Sequence, residues 1–281
     1  MGGLQGLHAR ARRPAEPDGL GRHPAALRAA ARGAGCRAVC PLRALPRRGR
    51  SGRGRGARLG ARDRSGGAMS GVYGEVFARW RMAAGEDWER YVRHPFVEGI
   101  AEGTLPMESF LRYLVQDYVF LVHFSRAWAL GVTKAETMDE LRQCAATVDA
   151  LVNHEMALHV QTCAEVGLSE ADLHAAEEHP ANLAYTRYVL DAGHSGDFLD
   201  LMAALAPCVL GYGEIGARLM PGLRDDHPYR GWIATYGGEE YQGLCRDVGA
   251  LIDAAAARRL GDVPQASPRW ERLSGRFRTA T

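Results

Sequence analysis

The first 68 residues of this 281-residue chain contain no phenylalanine, tryptophan or tyrosine, no lysine, and only two serines, Ser51 and Ser65. Without aromatics there is too little apolar surface to offset the entropy of ordering, which excludes a packed core. Ala, Arg, Gly and Pro fill 49 of those 68 positions, so a disordered arm is expected. The shortage of serine argues against an organelle transit peptide, and the lack of a long apolar run against a secretory signal. Sixteen arginines against three acids give the arm a net charge of +13, whereas residues 69–281 carry 19 basic and 30 acidic side chains, a net of −11. The overall +2 therefore describes neither part. Two readings of the arm stand. One is an arginine-rich tail that contacts nucleic-acid phosphates. The other, which the composition favours, is that translation begins at Met69 and residues 1–68 are GC-rich upstream DNA read as protein.

The body from Met69 onward is also defined by absences. Its four cysteines, Cys144, Cys163, Cys208 and Cys245, show no CxxC spacing, which argues against a zinc site and for a reducing cytoplasm. No run is apolar enough for a membrane span, so no membrane partner is expected. Alternating strand patterns, Asn-Gly or Asp-Gly turns between apolar runs, and internal repeats are missing. The acidic balance of the body is unsuited to nucleic acid.

What remains is helix. Residues 71–93, 106–133, 138–166, 180–192, 197–220 and 238–259 carry apolar side chains at three- and four-residue spacing. Thr137 followed by Glu140 predicts a capping box, and Pro106 suits a first helical turn, with Gly103 just outside it. Short connections such as GHSGD at 193–197 predict antiparallel neighbours in an all-α bundle.

Several side chains stand out chemically. In RYLVQDYVFLVHF (112–124), Asp117 has only aromatic or aliphatic helical neighbours, so it needs a partner: an internal arginine or tyrosine, or a ligand with N–H donors. Glu155 and His159, one turn apart, could share a metal but read better as a hydrogen-bonded structural pair. Tyr185 in NLAYTRYVL and Tyr236 in RGWIATYGGEEY sit in apolar context. In ALAPCVLGYGEIG, Cys208 and Tyr212 share a helix face, Pro207 interrupts the helix, and Gly211 and Gly213 leave space around the phenol. That combination reads as a pocket wall, or else as a free core cysteine.

These segments resemble the TenA proteins, also called thiaminase II, which are similar in fold to heme oxygenase. The resemblance runs from about Val72 to the last residue, and HPFVEGIAEGTLPMESFLRYLVQDYVFL (94–121) is its most specific stretch. It implies that Asp117 binds a pyrimidine beside Phe120, that Tyr185, Tyr212 and Tyr236 line the pocket, and that Cys208 is the nucleophile. It also implies hydrolysis of thiamine or of 4-amino-5-aminomethyl-2-methylpyrimidine in thiamine salvage, by a homotetramer without metal or other cofactor. Members with this cysteine carry a C-terminal glutamate in a pattern like Glu-x-x-Phe-Trp. This chain ends at LSGRFRTAT, so a domain over 69–281 is expected to be truncated and slow, with Glu214 as the one candidate substitute. A non-catalytic pyrimidine- or thiamine-binding relative and a metal-dependent oxidase on the same fold, using Glu155 and His159, are the alternatives.

Protein begun at Met69 is expected to match the full chain in melting temperature and activity, because the arm has nothing to dock with. A melting point several degrees lower without residues 1–68 would show that the arm packs.

Overall fold

A computed structural model describes residues 73–281 except Asp262, leaving out the side chains of His154 and Leu158. The arm expected over 1–68 lies outside the described residues. Within them the chain is helical and has no strands: α1 (Glu75–Ala84), α2 (Glu86–Val92), α3 (Pro95–Glu102), α4 (Met107–Lys134), α5 (Met138–Asp149), a π-helical segment (Ala150–Glu155), α6 (Met156–Glu165), α7 (Glu170–His174), α8 (Pro180–Ser195), α9 (Phe198–Leu219), a 3₁₀ turn (Met220–Gly222), α10 (Arg230–Gly237), α11 (Glu239–Leu260) and α12 (Pro268–Thr279).

Helix α9 is the axis of the bundle. It packs against α2, α4, α8, α10, α11 and α12. Eighteen of its 22 residues are buried, and the four that are not include Cys208 and Tyr212. By length and apolarity, Phe198–Gly222 could cross a membrane, contrary to the expectation that no run could, but 89% of its most apolar stretch is buried inside the bundle. Small residues let neighbours approach: a Cβ at Gly216 would lie 2.2 Å from the Tyr236 carbonyl carbon of α10. Asp197 caps α9 by accepting from the N–H groups of Leu199 and Asp200.

Where the structure departs from the periodicity, the cause is local. Gly85, at φ 54°, breaks the expected 71–93 helix into α1 and α2. Three His-Pro pairs start structure, and at two of them, His94-Pro95 and His227-Pro228, the apolar pattern announces none. In each, the histidine Nδ1 accepts a backbone N–H two residues on: His94 from Phe96, His179 from Ala181, and His227 from Tyr229, at 3.1–3.2 Å. Proline at the first helical position of α3 and α8 gives up a donor that would be unpaired there anyway. Only half of the expected capping box forms. Thr137 accepts from the Glu140 N–H, but the Glu140 carboxylate accepts from Glu136 N–H and binds Arg259 through both oxygens.

Two interactions seat the last helix. Phe277 of α12 is fully buried, its ring 5.3 Å from that of Trp88 and 5.8 Å from that of Trp80. Asp200 of α9, also fully buried, accepts from Arg269 at 2.7 Å and Arg276 at 2.8 Å. Those charge-assisted bonds hold its carboxyl below the usual range against the opposing effect of burial. The end of α12 thereby brings Ala280 and Thr281 to the cavity described next.

Asp200→Asn is expected to cost about 3 kcal/mol at neutral pH, because it removes the buried carboxylate shared by Arg269, Arg272 and Arg276. A depressed folded pKa means that the contribution is present above about pH 4, the unfolded value, and is lost as pH falls through the folded value. Denaturation at pH 7 and pH 3 checks this: the gap between parent and variant should narrow in acid. An equal gap at both would contradict it.

Candidate active site

Beside α9 lies a cavity of about 320 Å³ lined by aromatic side chains and a few polar ones. It brings together all six residues named from sequence: Asp117, Phe120, Tyr185, Cys208, Tyr212 and Tyr236. They come from α4, α8, α9 and α10, so helix packing, not a single motif, builds the site. Phe120 lies beside Tyr185 with ring centroids 6.0 Å apart, and Tyr212 beside Tyr236 at 4.9 Å. Tyr91, Tyr113, Gln116, Asn182 and Tyr241 also line it. Of these, Tyr113 could have been found from sequence, since it stands one turn before Asp117 on the same face. Tyr91 carried no such signal.

The helix interruption at Pro207 has a definite consequence. Proline lacks an N–H, so the Ala203 carbonyl one turn earlier loses its helical donor. Around that point three phenols donate to α9 carbonyls: Tyr185 to Ala204 at 3.3 Å, Tyr91 to Pro207 at 3.1 Å, and Tyr241 to Val209 at 3.0 Å. The backbone on either side of Cys208 is thus pinned from three helices. The glycines, by contrast, do not clear space for a ligand as expected. A Cβ at Gly211 would come within 2.5 Å of the Tyr91 ring, and one at Gly213 within 2.5 Å of Cys245 Sγ. The space is taken by packed side chains.

Cys208 is the only one of the four described cysteines that is not buried. Its thiol is pushed well up, first by burial and then by the nearby Asp117 and Glu155 carboxyls, while a hydrogen bond with Tyr185 pulls the other way. The free protein therefore holds a thiol, not a thiolate.

Asp117 makes no hydrogen bond to any described residue, and its side chain is 16% exposed into the cavity. Among the described residues, no Arg, Lys or His lines the cavity. Burial pushes the Asp117 carboxyl up to about 7. The internal arginine or tyrosine partner that the sequence left open is thus absent among the described residues.

Glu155 and His159 are not the hydrogen-bonded pair expected. His159 Nε2 lies 2.5 Å from the Leu114 carbonyl, and its Nδ1 makes no hydrogen bond. Glu155 Oε2 is likewise unpaired. Nor do three His, Cys, Asp or Glu side chains converge among the described residues, so the metal-oxidase alternative lacks a ligand set. Glu214, the suggested substitute acid, faces elsewhere: it accepts from Trp88 Nε1 at 3.1 Å and pairs with Arg81 at 3.1 Å.

Known proteins resemble this chain in sequence and in fold. The sequence profile of the TENA/THI-4/PQQC family matches residues 83–266. An uncharacterised protein of Haemophilus influenzae is 43% identical over 170 residues, 59% of this chain and 78% of that one. An aminopyrimidine aminohydrolase of Halalkalibacterium halodurans is 37% identical over 172 residues, 60% of this chain and 76% of that one. The crystal structure of a TenA family transcription regulator from Silicibacter sp. TM1040 superposes with a TM-score of 0.73 at 55% identity, covering 75% of this chain and 94% of that one.

Asp117→Asn should raise stability above neutral pH. A folded value near 7 against about 4 unfolded means that folding loses stability as pH rises between the two. Removing the titration should make the variant more stable at pH 8, by about 2 kcal/mol, and about equal to the parent at pH 4. Thermal melts across pH 4–8 check this, and a variant less stable than the parent at pH 8 would contradict it.

Proposed function

Since the chain belongs to the TENA/THI-4/PQQC family, we propose that it is an aminopyrimidine aminohydrolase of the thiaminase II type. Its substrate would be 4-amino-5-aminomethyl-2-methylpyrimidine or thiamine, and its role thiamine salvage. The observation that carries the reading is a carboxyl, Asp117, with no internal hydrogen-bond partner in a cavity that also holds an accessible thiol and flat aromatic walls. The aminohydrolase name of the Halalkalibacterium halodurans relative supports it.

In this proposal the ring lies among Phe120, Tyr185, Tyr212 and Tyr236, and an Asp117 oxygen accepts from the ring amino group. Cys208 Sγ adds to the electron-poor ring carbon next to the substituted one. The electron pair taken up by the ring then expels the amine from the methylene group, and the thiol proton leaves with it as ammonia. Water adds to the methylene carbon, the Sγ–C bond breaks, and the water's second proton returns to sulfur. The balance is aminomethylpyrimidine plus water to hydroxymethylpyrimidine plus ammonia. When thiamine is the substrate, the thiazole departs in place of ammonia.

The raised thiol fits this order of events, because the proton is needed on the leaving group and is not lost to solvent beforehand. A second reading, a pyrimidine-binding protein with little turnover, is favoured by one observation: among the described residues, no Asp or Glu side chain other than Asp117 lines the cavity. Assembly as a homotetramer belongs to the same proposal and is checked by light scattering.

The parent is expected to release ammonia from the aminomethylpyrimidine, and Cys208→Ser to lower turnover at least ~100-fold with an unchanged melting curve. Binding by calorimetry without ammonia release in the parent would favour the second reading. An active serine variant would remove Cys208 from its role.

A further inference from the structure

Behind Asp117, on the side away from the cavity, lies a group that the proposed reaction does not use. His159 is completely buried on α6. Its Nε2 sits 2.5 Å from the Leu114 carbonyl of α4, and a carbonyl only accepts, so Nε2 carries the ring proton. Neutral imidazole has one N–H, which leaves Nδ1 as a bare acceptor. That nitrogen makes no hydrogen bond and faces Asp117 Oδ2 at 3.8 Å.

A bare acceptor opposite an ionised carboxylate sets lone pair against lone pair. The same acceptor opposite a protonated carboxyl is a hydrogen-bond partner, about 1 Å of side-chain movement away. Every other titratable group coupled to Asp117 disfavours negative charge on it or carries none at neutral pH. Glu155 of the π-helical segment is a second buried carboxyl, pushed up first by burial and then by Asp117. Tyr113 on α4, Cys208 and Tyr212 on α9 and Tyr236 on α10 are all held protonated, mainly by burial. Burial also keeps His159 itself from charging, against the opposing effect of the Leu114 carbonyl.

We propose that His159 is a positioning residue for Asp117, its Nδ1 accepting the proton from Oδ2 and so leaving Oδ1 as a neutral acceptor turned to the cavity. The Leu114 carbonyl sets the tautomer, the tautomer sets which carboxyl oxygen holds the proton, and that oxygen is the one withdrawn from the ligand. A neutral acceptor at the cavity wall suits a ligand that offers an amino N–H without a full positive charge, which describes an aminopyrimidine ring. In that respect the inference rests on the proposed function, although the histidine–aspartate contact itself does not.

The test uses the full chain without ligand. The Asp117 carboxyl is followed by ¹³C NMR from pH 4 to 9 in the parent and in His159→Gln, whose amide keeps a donor for the Leu114 carbonyl but places nothing opposite Asp117. The expected result is a fall in the Asp117 midpoint of at least about half a pH unit in the variant. A merely structural histidine leaves the midpoint where it was, and an unchanged or higher midpoint overturns the proposal. Should the variant not fold, the ¹⁵N shifts of His159 in the parent decide. An unprotonated Nδ1 that responds at the Asp117 midpoint supports the proposal, and an Nδ1 protonated throughout overturns it. Calorimetry with 4-amino-5-aminomethyl-2-methylpyrimidine on the parent is a separate arm: failure to bind there counts against the proposed function and leaves the NMR result standing.

Discussion

Helix α9 is enclosed by six other helices, and the rest of the molecule is arranged around the place where that enclosure fails. Burying a helix on every side requires small residues for close approach and requires each polar atom to find a partner. Most of α9 meets both conditions. Ala203, Ala204 and Ala206 are fully packed, Gly216 admits the α10 backbone, and Asp200 is paired with arginines of α12. At Pro207 the helical hydrogen bonding is interrupted, and phenols from α2, α8 and α11 donate to the carbonyls nearby. Cys208 and Tyr212 then look into space, not protein. The cavity and the interruption of the helix are thus one feature with a common cause.

The electrostatics of that space are unusual in one respect: among the described residues it is lined by one carboxyl side chain, Asp117, and several phenols, but by no Arg, Lys or His. A carboxyl at this depth normally finds an arginine, as Asp200 and Glu140 do elsewhere in the bundle. Those two carboxyls are held below the usual range by their guanidinium partners, whereas Asp117 and Glu155 are raised. The contrast separates carboxyls held by guanidinium groups from carboxyls buried without one. Leaving Asp117 without a cation works against stability at neutral pH, a pattern expected where a ligand completes the site. Burial first, and the Asp117 and Glu155 carboxyls second, push the Cys208 thiol up.

The all-α bundle was legible because apolar periodicity survives in every long helix. Of the six cavity residues, Asp117, Cys208 and Tyr212 stood out by their own chemistry, whereas Phe120, Tyr185 and Tyr236 were singled out through the resemblance to TenA proteins. Other features were hidden for physical reasons. A glycine tells that a Cβ is missing but not what fills the space, so Gly211 and Gly213 read as room for a ligand when Tyr91 and Cys245 occupy it. Short helices such as α3 and α10 carry too few turns for a period to show. The π-helical turn at Ala150–Glu155 keeps the apolar spacing of 138–166 nearly intact while changing which way Glu155 faces. Spacing alone also paired Glu155 with His159, whereas the Leu114 carbonyl, which no sequence pattern displays, takes the imidazole instead.

The proposed reaction requires a pyrimidine to sit between Asp117 and Cys208. The most direct measurement is a crystal structure of the Cys208→Ser protein soaked with 4-amino-5-aminomethyl-2-methylpyrimidine. The ring is expected among Phe120, Tyr185, Tyr212 and Tyr236, with its amino nitrogen within about 3.2 Å of an Asp117 oxygen. The ring carbon next to the substituted one should lie about 3.5 Å from the residue 208 side chain. A ring bound elsewhere, or one whose amino group points away from Asp117, would contradict it.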